Sequence, residues 1–297
     1  MPVAIIDLGT NTFHLLIAQS DSKGFREIYR ERRYIKLGEH SPDFIGPSAF
    51  QRGLTAMRDF KTICINNGVS QIHAMGTAML RNAINTPSFV NAVHMDTGIQ
   101  IEVIDGLEEA RLIFEGVKNS GILTAKENLL MDIGGGSVEF IFSKDQRAEW
   151  FESTDIGVAL LKHRFPVVDH FTSSDISKLE NYLDLKLEPI FSKLHHSEQL
   201  DLVGISGTFD VIWDHFSKKN PVTKNTGSRI PSIDVINFCN RIIPMSIIDK
   251  LNHTSIPESR ADLISYALVM VKKVIQESSC KQVKVSQYSI KEGKLAN

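Results

Sequence analysis

Two distant stretches of this chain align without a gap. Ala4-Ile-Ile6-Asp7-Leu8-Gly9-Thr10-Asn11-Thr12-Phe13-His14-Leu15-Leu16-Ile17 lies on Leu129-Leu-Met-Asp132-Ile-Gly134-Gly135-Gly136-Ser137-Val-Glu139-Phe-Ile-Phe142. Asp7 falls on Asp132, Gly9 on Gly134, Thr12 on Ser137, and Leu15 to Ile17 on Phe140 to Phe142. The spacing is too long for a solenoid repeat. It implies two copies of one domain, each opening with an apolar strand, a tight turn and a second apolar strand. Glycine suits such a turn because it reaches positive φ without a Cβ clash. A turn of this kind gathers backbone N–H groups into a concavity that binds phosphate oxygens. Two of them facing each other across a cleft would hold one phosphorylated ligand.

Asp132 ends the incoming strand and Glu139 stands early in the outgoing one. Carboxylates beside a phosphate cradle repel it unless a cation lies between them, and Mg²⁺ suits one or two carboxylates with waters and phosphate oxygens. A third loop, Ser206-Gly207-Thr208, follows the apolar strand Leu202 to Ile205, and a helix starting near Thr208 would offer its first amides to an anion. A lone triple glycine is most often only a tight turn. Three Gly/Ser/Thr turns after apolar strands, two of them preceded by Asp, favour a phosphate-binding cleft.

The net charge of −2 gives no whole-chain electrostatic case for nucleic acid or a membrane surface. The three cysteines, Cys64, Cys239 and Cys280, form no metal-binding or redox motif and read as buried small side chains in a reducing compartment. Neither a signal peptide nor a bilayer-spanning run is evident, so a cytoplasmic protein is expected. The His195-His196 pair has no third ligand nearby in sequence and reads as loop.

Strands are expected at 3–8, 11–18, 25–37, 69–75, 99–104, 129–131, 140–142, 149–153, 200–205 and 283–286. The third of these carries Arg26, Arg30, Arg32, Arg33 and Lys36, either as a solvated face or as a positive rim to the cleft. Helices are expected from Ser48 as cap, from Thr77 as cap, from Leu107, after Gly157, from a cap at 172–175, near Thr208, over 232–242 and 244–252, and from 256–263 to about 278. Arg81 lies one turn into its helix, where a guanidinium either faces solvent or meets a phosphate. Glu108 and Glu109 open their helix as ordinary dipole-complementing acids, yet at the end placed near the cleft. Residues 217–229, with Lys218, Lys219 and Lys224, read as a polar loop. Alternating strands and helices in two related halves make this an α/β protein with mixed sheets.

The segments Ala4 to Ile17, Thr77 to Ala83, Ile101 to Gly116, Met131 to Glu139, Val203 to Phe209 and Arg260 to Leu263 resemble, in order, the exopolyphosphatase/guanosine pentaphosphate phosphatase (Ppx/GppA) family of the actin–hexokinase superfamily. The resemblance implies two ribonuclease H-like (actin-like ATPase) domains, a first over 1–120, to which 286–297 returns, and a second over 121–285, as in the short two-domain form. It implies Mg²⁺-dependent hydrolysis of the terminal phosphoanhydride of inorganic polyphosphate. The alternative substrate is guanosine pentaphosphate (pppGpp). An actin-like sugar or acetate kinase and a non-catalytic phosphate- or nucleotide-sensing module remain as other classes. By motif position Glu109 resembles the general base; Asp132 and Glu139, with Asp7 as a further candidate, resemble the metal carboxylates. Thr10, Asn11, Thr12, Arg81, Gly134, Gly135, Gly136 and Ser137 resemble phosphate contacts, with Ser206, Gly207 and Thr208 lining the cleft. Where the family often carries Arg, this chain has Lys291. A homodimer stays an open alternative to a monomer. Hinges are expected near 117–127 and at the C-terminal return.

Overall fold

The structure is a computed structural model that describes residues 1–21, 24–194, 200–217 and 229–296. His195, His196, Lys218, Lys219 and Lys224 lie outside the described residues. The order of elements is β1 (Val3–Leu8), β2 (Thr12–Asp21), β3 (Gly24–Tyr34), α1 (Pro47–Asn66), β4 (Gln71–Gly76), α2 (Ala78–Asn82), α3 (Thr86–Thr97), β5 (Ile101–Val103) and α4 (Gly106–Asn119). Then come β6 (Asn128–Ile133), β7 (Val138–Lys144), β8 (Arg147–Thr154), α5 (Val158–Arg164), α6 (Ser173–Phe191), β9 (Asp201–Ile205) and α7 (Gly207–Ser217). The chain closes with β10 (Ile230–Pro231), α8 (Ser232–Ile242), α9 (Ile247–Leu251), α10 (Ile264–Ser278), β11 (Gln282–Val285) and α11 (Ile290–Ala296).

The strands form two sheets, ordered β3-β2-β1-β4-β5 and β10-β11-β9-β6-β7-β8. In each, three antiparallel strands are followed by two parallel ones, β4 and β5 beside β1, β9 and β11 beside β6; the short β10 then closes the second sheet antiparallel to β11. This is the mixed ribonuclease H-like plan, present twice. The repeat extends to register. Asp7 lies opposite His14 and Asp132 opposite Glu139. A register shift falls between Ile17 and Ala18 in the first copy and between Phe142 and Ser143, the aligned positions, in the second.

Because successive side chains on a strand point to opposite faces, the central strands are divided between cores. Ala4, Ile6 and Leu8 pack with α1 and α3 side chains such as Met57, Phe60 and Phe89. Leu129, Met131 and Phe140 pack with helical residues of the second half, including Leu183 and Leu268. Ile5, Leu130, Ile141, Val203 and Ile205 face a third layer between the sheets, shared with Ala110, Ile113 and Val117 of α4 and Ile290 of α11. Asp7, Asp132 and Glu139 share the parity of Ile5, Leu130 and Ile141, so the pleat turns them toward that layer at its open end.

Several ends differ from expectation. The first helix starts at Pro47 after Gly46, because Pro at the first position needs no N–H partner, and Ser48 is not its cap. Thr77 makes no side-chain cap, and its helix is a single turn, Ala78–Asn82, followed by a separate helix beginning at Thr86 that periodicity did not distinguish. The segment 258–260 is a 3₁₀ turn before α10, and the two-residue β10 was not anticipated. Asp105 caps α4 by accepting from Glu108 N at 2.8 Å, and Thr172 with Asp175 forms a capping box at α6. Among the described residues no helix is long and apolar enough to cross a membrane.

Helices α4 and α11 cross at glycines. A Cβ on Gly293 would run into the Leu112 carbonyl oxygen, and one on Gly116 into that of Ser289. Backbone cannot retreat as a side-chain tip can, so Gly293→Ala should destabilise the fold by about 1–3 kcal/mol. Urea unfolding checks this. Leu185→Ala, at a surface position, should stay within about 0.5 kcal/mol of the parent.

Candidate active site

Each turn of the repeat is closed by the same bond. Gly9 N donates to Thr12 O at 3.1 Å, and Gly134 N to Ser137 O at 3.0 Å. The loops' carbonyls are also engaged from within the protein. Val158 N and Ala159 N at the start of α5 donate to Gly134 O and Gly135 O, and Ile35 N and Lys36 N donate to Asn11 O. Gly157 is required beneath the second loop, since a Cβ there would overlap the Gly135 backbone. With carbonyls so used, what such turns can still offer a ligand is their N–H groups and hydroxyls.

The two loops abut. A Cβ on Gly135 would sit 2.7 Å from Asn11 Nδ2, and one on Gly136 would sit 2.9 Å from Thr10 Oγ1. Beside their junction opens a cavity of about 800 Å³. Asp7, Thr10, Asn11, Thr12, Glu109, Asp132, Gly134, Gly135, Gly136, Ser137, Glu139, Ser206 and Gly207 all line it. Thr10 Oγ1 is buried with no hydrogen-bond partner, a polar atom that a ligand oxygen would satisfy.

Arg81 and Thr208, also singled out from sequence, do not line the cavity. Thr208 is buried in the first turn of α7. Arg81 stands behind Glu109: its Nη1 donates to Glu109 Oε2 at 2.6 Å and to Ile104 O at 3.2 Å, and its Nη2 to Ser137 Oγ at 3.4 Å. The guanidinium thus joins the helix that carries Glu109 to the second loop.

Four carboxylates share this space. Burial pushes Glu109 up to about 7, against the pull of Arg81 and with help from Asp7 and Asp132. Burial likewise lifts Asp132 to about 6, while a hydrogen bond from Ser206 and the charge of Lys291 act downward. Glu139 is held well above its ordinary range by burial and by Glu109 and Asp132, although Ser153 Oγ donates to it at 2.8 Å. Asp7 is raised by burial too. Ser206 adopts a left-handed backbone, φ 69°, rare for a residue with a Cβ. Excess buried negative charge made of oxygen donors fits a hard divalent cation. Among the described residues no three His, Cys, Asp or Glu side chains form a group that could hold a metal ion.

Sequence reasoning gave no role to two residues here. His14 lines the cavity and stands at the repeat position of Glu139; burial and then the charges of Lys291, Arg32, Arg260 and Arg30 push its pKa well down. Arg260 packs where any Cβ on Gly207 would have to be. The ungapped repeat was the signal available for His14. Of the basic set, Arg30 and Arg32 on β3 and Lys36 just beyond it line the cavity, whereas Arg33 does not and pairs with Glu31 at 2.7 Å and with Asp59.

Glu109 and Asp132 titrate higher in the folded than in the unfolded chain. Their contribution to stability is therefore full below about pH 4 and lost as pH rises through 6 to 7, when the folded protein must carry the buried anions. His14 titrates in the opposite sense, so the informative quantity is the increment in Tm given by Mg²⁺. That increment should grow between pH 5.5 and 8 in a thermal-shift series and should grow less in Glu109→Gln. An increment independent of pH would contradict the account.

The sequence profile of the Ppx/GppA phosphatase family matches residues 16–297. Exopolyphosphatase 2 of Mycobacterium tuberculosis is 26% identical to this chain, covering 98% of it and 96% of the relative. The crystal structure of an exopolyphosphatase from Cytophaga hutchinsonii is 30% identical and superposes with a TM-score of 0.93 over 99% of this chain and 96% of that one. The Ppx-GppA enzyme of Aquifex aeolicus, 21% identical, shares the fold with a TM-score of 0.82 over 100% of this chain and 99% of its own. With its two actin-like halves and a profile match over most of its length, this chain belongs to the Ppx/GppA phosphatase family.

Proposed function

We propose that this protein is an exopolyphosphatase, a phosphoanhydride hydrolase that removes terminal phosphate from inorganic polyphosphate with a divalent cation, Mg²⁺, as cofactor. The observation that carries the reading is the meeting, in one cavity, of two repeat-related turn loops with Glu109, Asp132 and Glu139. The relatives named exopolyphosphatase support it. In this reading the hydroxyls and N–H groups of Thr10, Asn11, Thr12, Gly135, Gly136 and Ser137 hold the phosphate chain, Gly134 closes the second turn, and Ser206 and Gly207 complete the lining. Asp132 and Glu139, with Asp7 nearby, would hold the cation, which neutralises the charge that develops on the phosphoryl oxygens.

Glu109 is the general base. A carboxylate whose pKa lies near 7 is matched to accepting a proton at neutral pH. It takes one proton from water as the water oxygen bonds to the terminal phosphorus. The bond from that phosphorus to the bridging oxygen breaks, and its electron pair leaves with the shortened chain. Arg81 holds the Glu109 carboxylate in place and couples it to Ser137. The halves divide at about 120/121, with 286–297 returning to the first. Substrate binding closes them about hinges near 117–127 and that return.

Guanosine pentaphosphate presents the same terminal anhydride and is the competing substrate. An actin-like kinase would need an acceptor, and a sensing module would bind without turnover. Phosphate release from polyphosphate, tripolyphosphate, guanosine pentaphosphate and ATP, with and without Mg²⁺, separates these readings. Polyphosphate should be the best substrate. Glu109→Gln should lower kcat by about 10²-fold or more, the usual contribution of a positioned base, while tripolyphosphate binding persists. Unchanged turnover in that variant would remove Glu109 from the chemistry, and binding without turnover in the parent would leave a sensor.

A further inference from the structure

Lys291 is a buried cation without a fixed anionic partner. It is the second residue of α11, 5% exposed, and lines the cavity. Its ammonium donates to Ser289 Oγ at 3.3 Å, and among the described residues it makes no ion pair within 4 Å. Another buried lysine, Lys284, pairs with Asp201 at 2.8 Å. A buried ammonium left unpaired is costly.

The backbone beneath Lys291 is clamped. Glu292, fully buried, accepts from Ser289 N at 2.8 Å and from Arg30 Nη2 at 2.7 Å. Gly293 seats the helix directly on the α4 backbone at Leu112, one turn from Glu109. The base of the side chain is therefore fixed relative to α4, while its end is tethered by one long hydrogen bond. The charge reaches both halves of the repeat: it acts on Asp7 and His14 of the first and on Asp132 of the second. Lys291 lines the same cavity as both loops.

We propose that Lys291 is a substrate-contacting residue: a point-charge clamp, delivered by the C-terminal helix, for a non-bridging phosphate oxygen between the two loops. In the free protein its ammonium offsets Asp7 and Asp132; with substrate in place it donates to the phosphate. An ammonium has three donors on a flexible stem and no fork, so it can follow successive phosphates of a chain without demanding one orientation. The inference rests on the phosphohydrolase reading and deepens it.

The test uses the full-length Glu109→Gln protein, so that ligand survives, with tripolyphosphate binding measured calorimetrically in Mg²⁺ and Mg²⁺ binding measured alone. Adding Lys291→Met should weaken tripolyphosphate by about tenfold or more, the loss of one charge-assisted hydrogen bond. Affinity for Mg²⁺ alone should hold or rise, because a positive charge beside the carboxylates has gone. Lys291→Arg should restore part of the anion affinity. Tripolyphosphate affinity within twofold of the parent would overturn the proposal. So would a parallel loss of Mg²⁺ and tripolyphosphate binding with a lowered Tm, the mark of a structural residue. If Lys291→Met does not fold, Lys291→Gln is read by the same criteria. Failure of the Glu109→Gln parent itself to bind tripolyphosphate would sink the phosphohydrolase reading, a result distinct from equal binding by parent and variant.

Discussion

Four largely buried carboxylates drawn into one cavity are the constraint around which this protein is arranged. Like charges at such range disfavour one another's ionised forms, and burial adds to the cost. Each acid is accordingly given a partner: Arg81 on Glu109, Ser153 on Glu139, Ser206 on Asp132, with Lys291 acting across the middle. These partners come from both halves of the chain. Arg81 follows β4, Ser153 lies on β8, and Lys291 arrives on the last helix. Each of the first three pairs lies within one half; the links between halves are the Arg81 Nη2 bond to Ser137 Oγ and the charge of Lys291 on Asp132, and the surplus charge that remains suits a cation brought with the substrate.

Glycine decides how closely the parts of that site approach. The second loop is seated on Gly157, the α4–α11 crossing on Gly116 and Gly293, and the Arg260 guanidinium on Gly207. In each case backbone or a functional side chain occupies the volume of a missing Cβ. The reach of Glu109 and Lys291 into one cavity follows from the α4–α11 crossing, so two chemical groups more than a hundred residues apart in sequence share one rigid support.

The repeat was legible because its parts are local. Apolar strands, Asp at the strand end and Gly/Thr/Ser turns are each written in a few consecutive residues, and the equivalence of Asp7 with Asp132 survives to strand register and even to the shift after Ile17 and Phe142. What was not legible depends on long-range packing. Arg81 lies in its expected helix, but its contact with Glu109 is set by how α2 meets α4. Alternation in β3 could suggest two faces but not which one met the cavity. The broken helix after Thr77 is hard to read because Asn82-Ala83-Ile84-Asn85-Thr86 holds no Gly or Pro to mark the break. Glu109 reads as a dipole-complementing acid until α4 is placed between two sheets, where burial alters its acidity.

The account's central claim is that both turn loops grip the same phosphate chain. The direct measurement is tripolyphosphate affinity, in Mg²⁺ and a Glu109→Gln background, after removing one hydroxyl from each loop: Thr10→Ala in the first and Ser137→Ala in the second. Convergence predicts that each variant weakens binding. Loss of affinity from one loop, with the other variant binding as tightly as its parent, would contradict it.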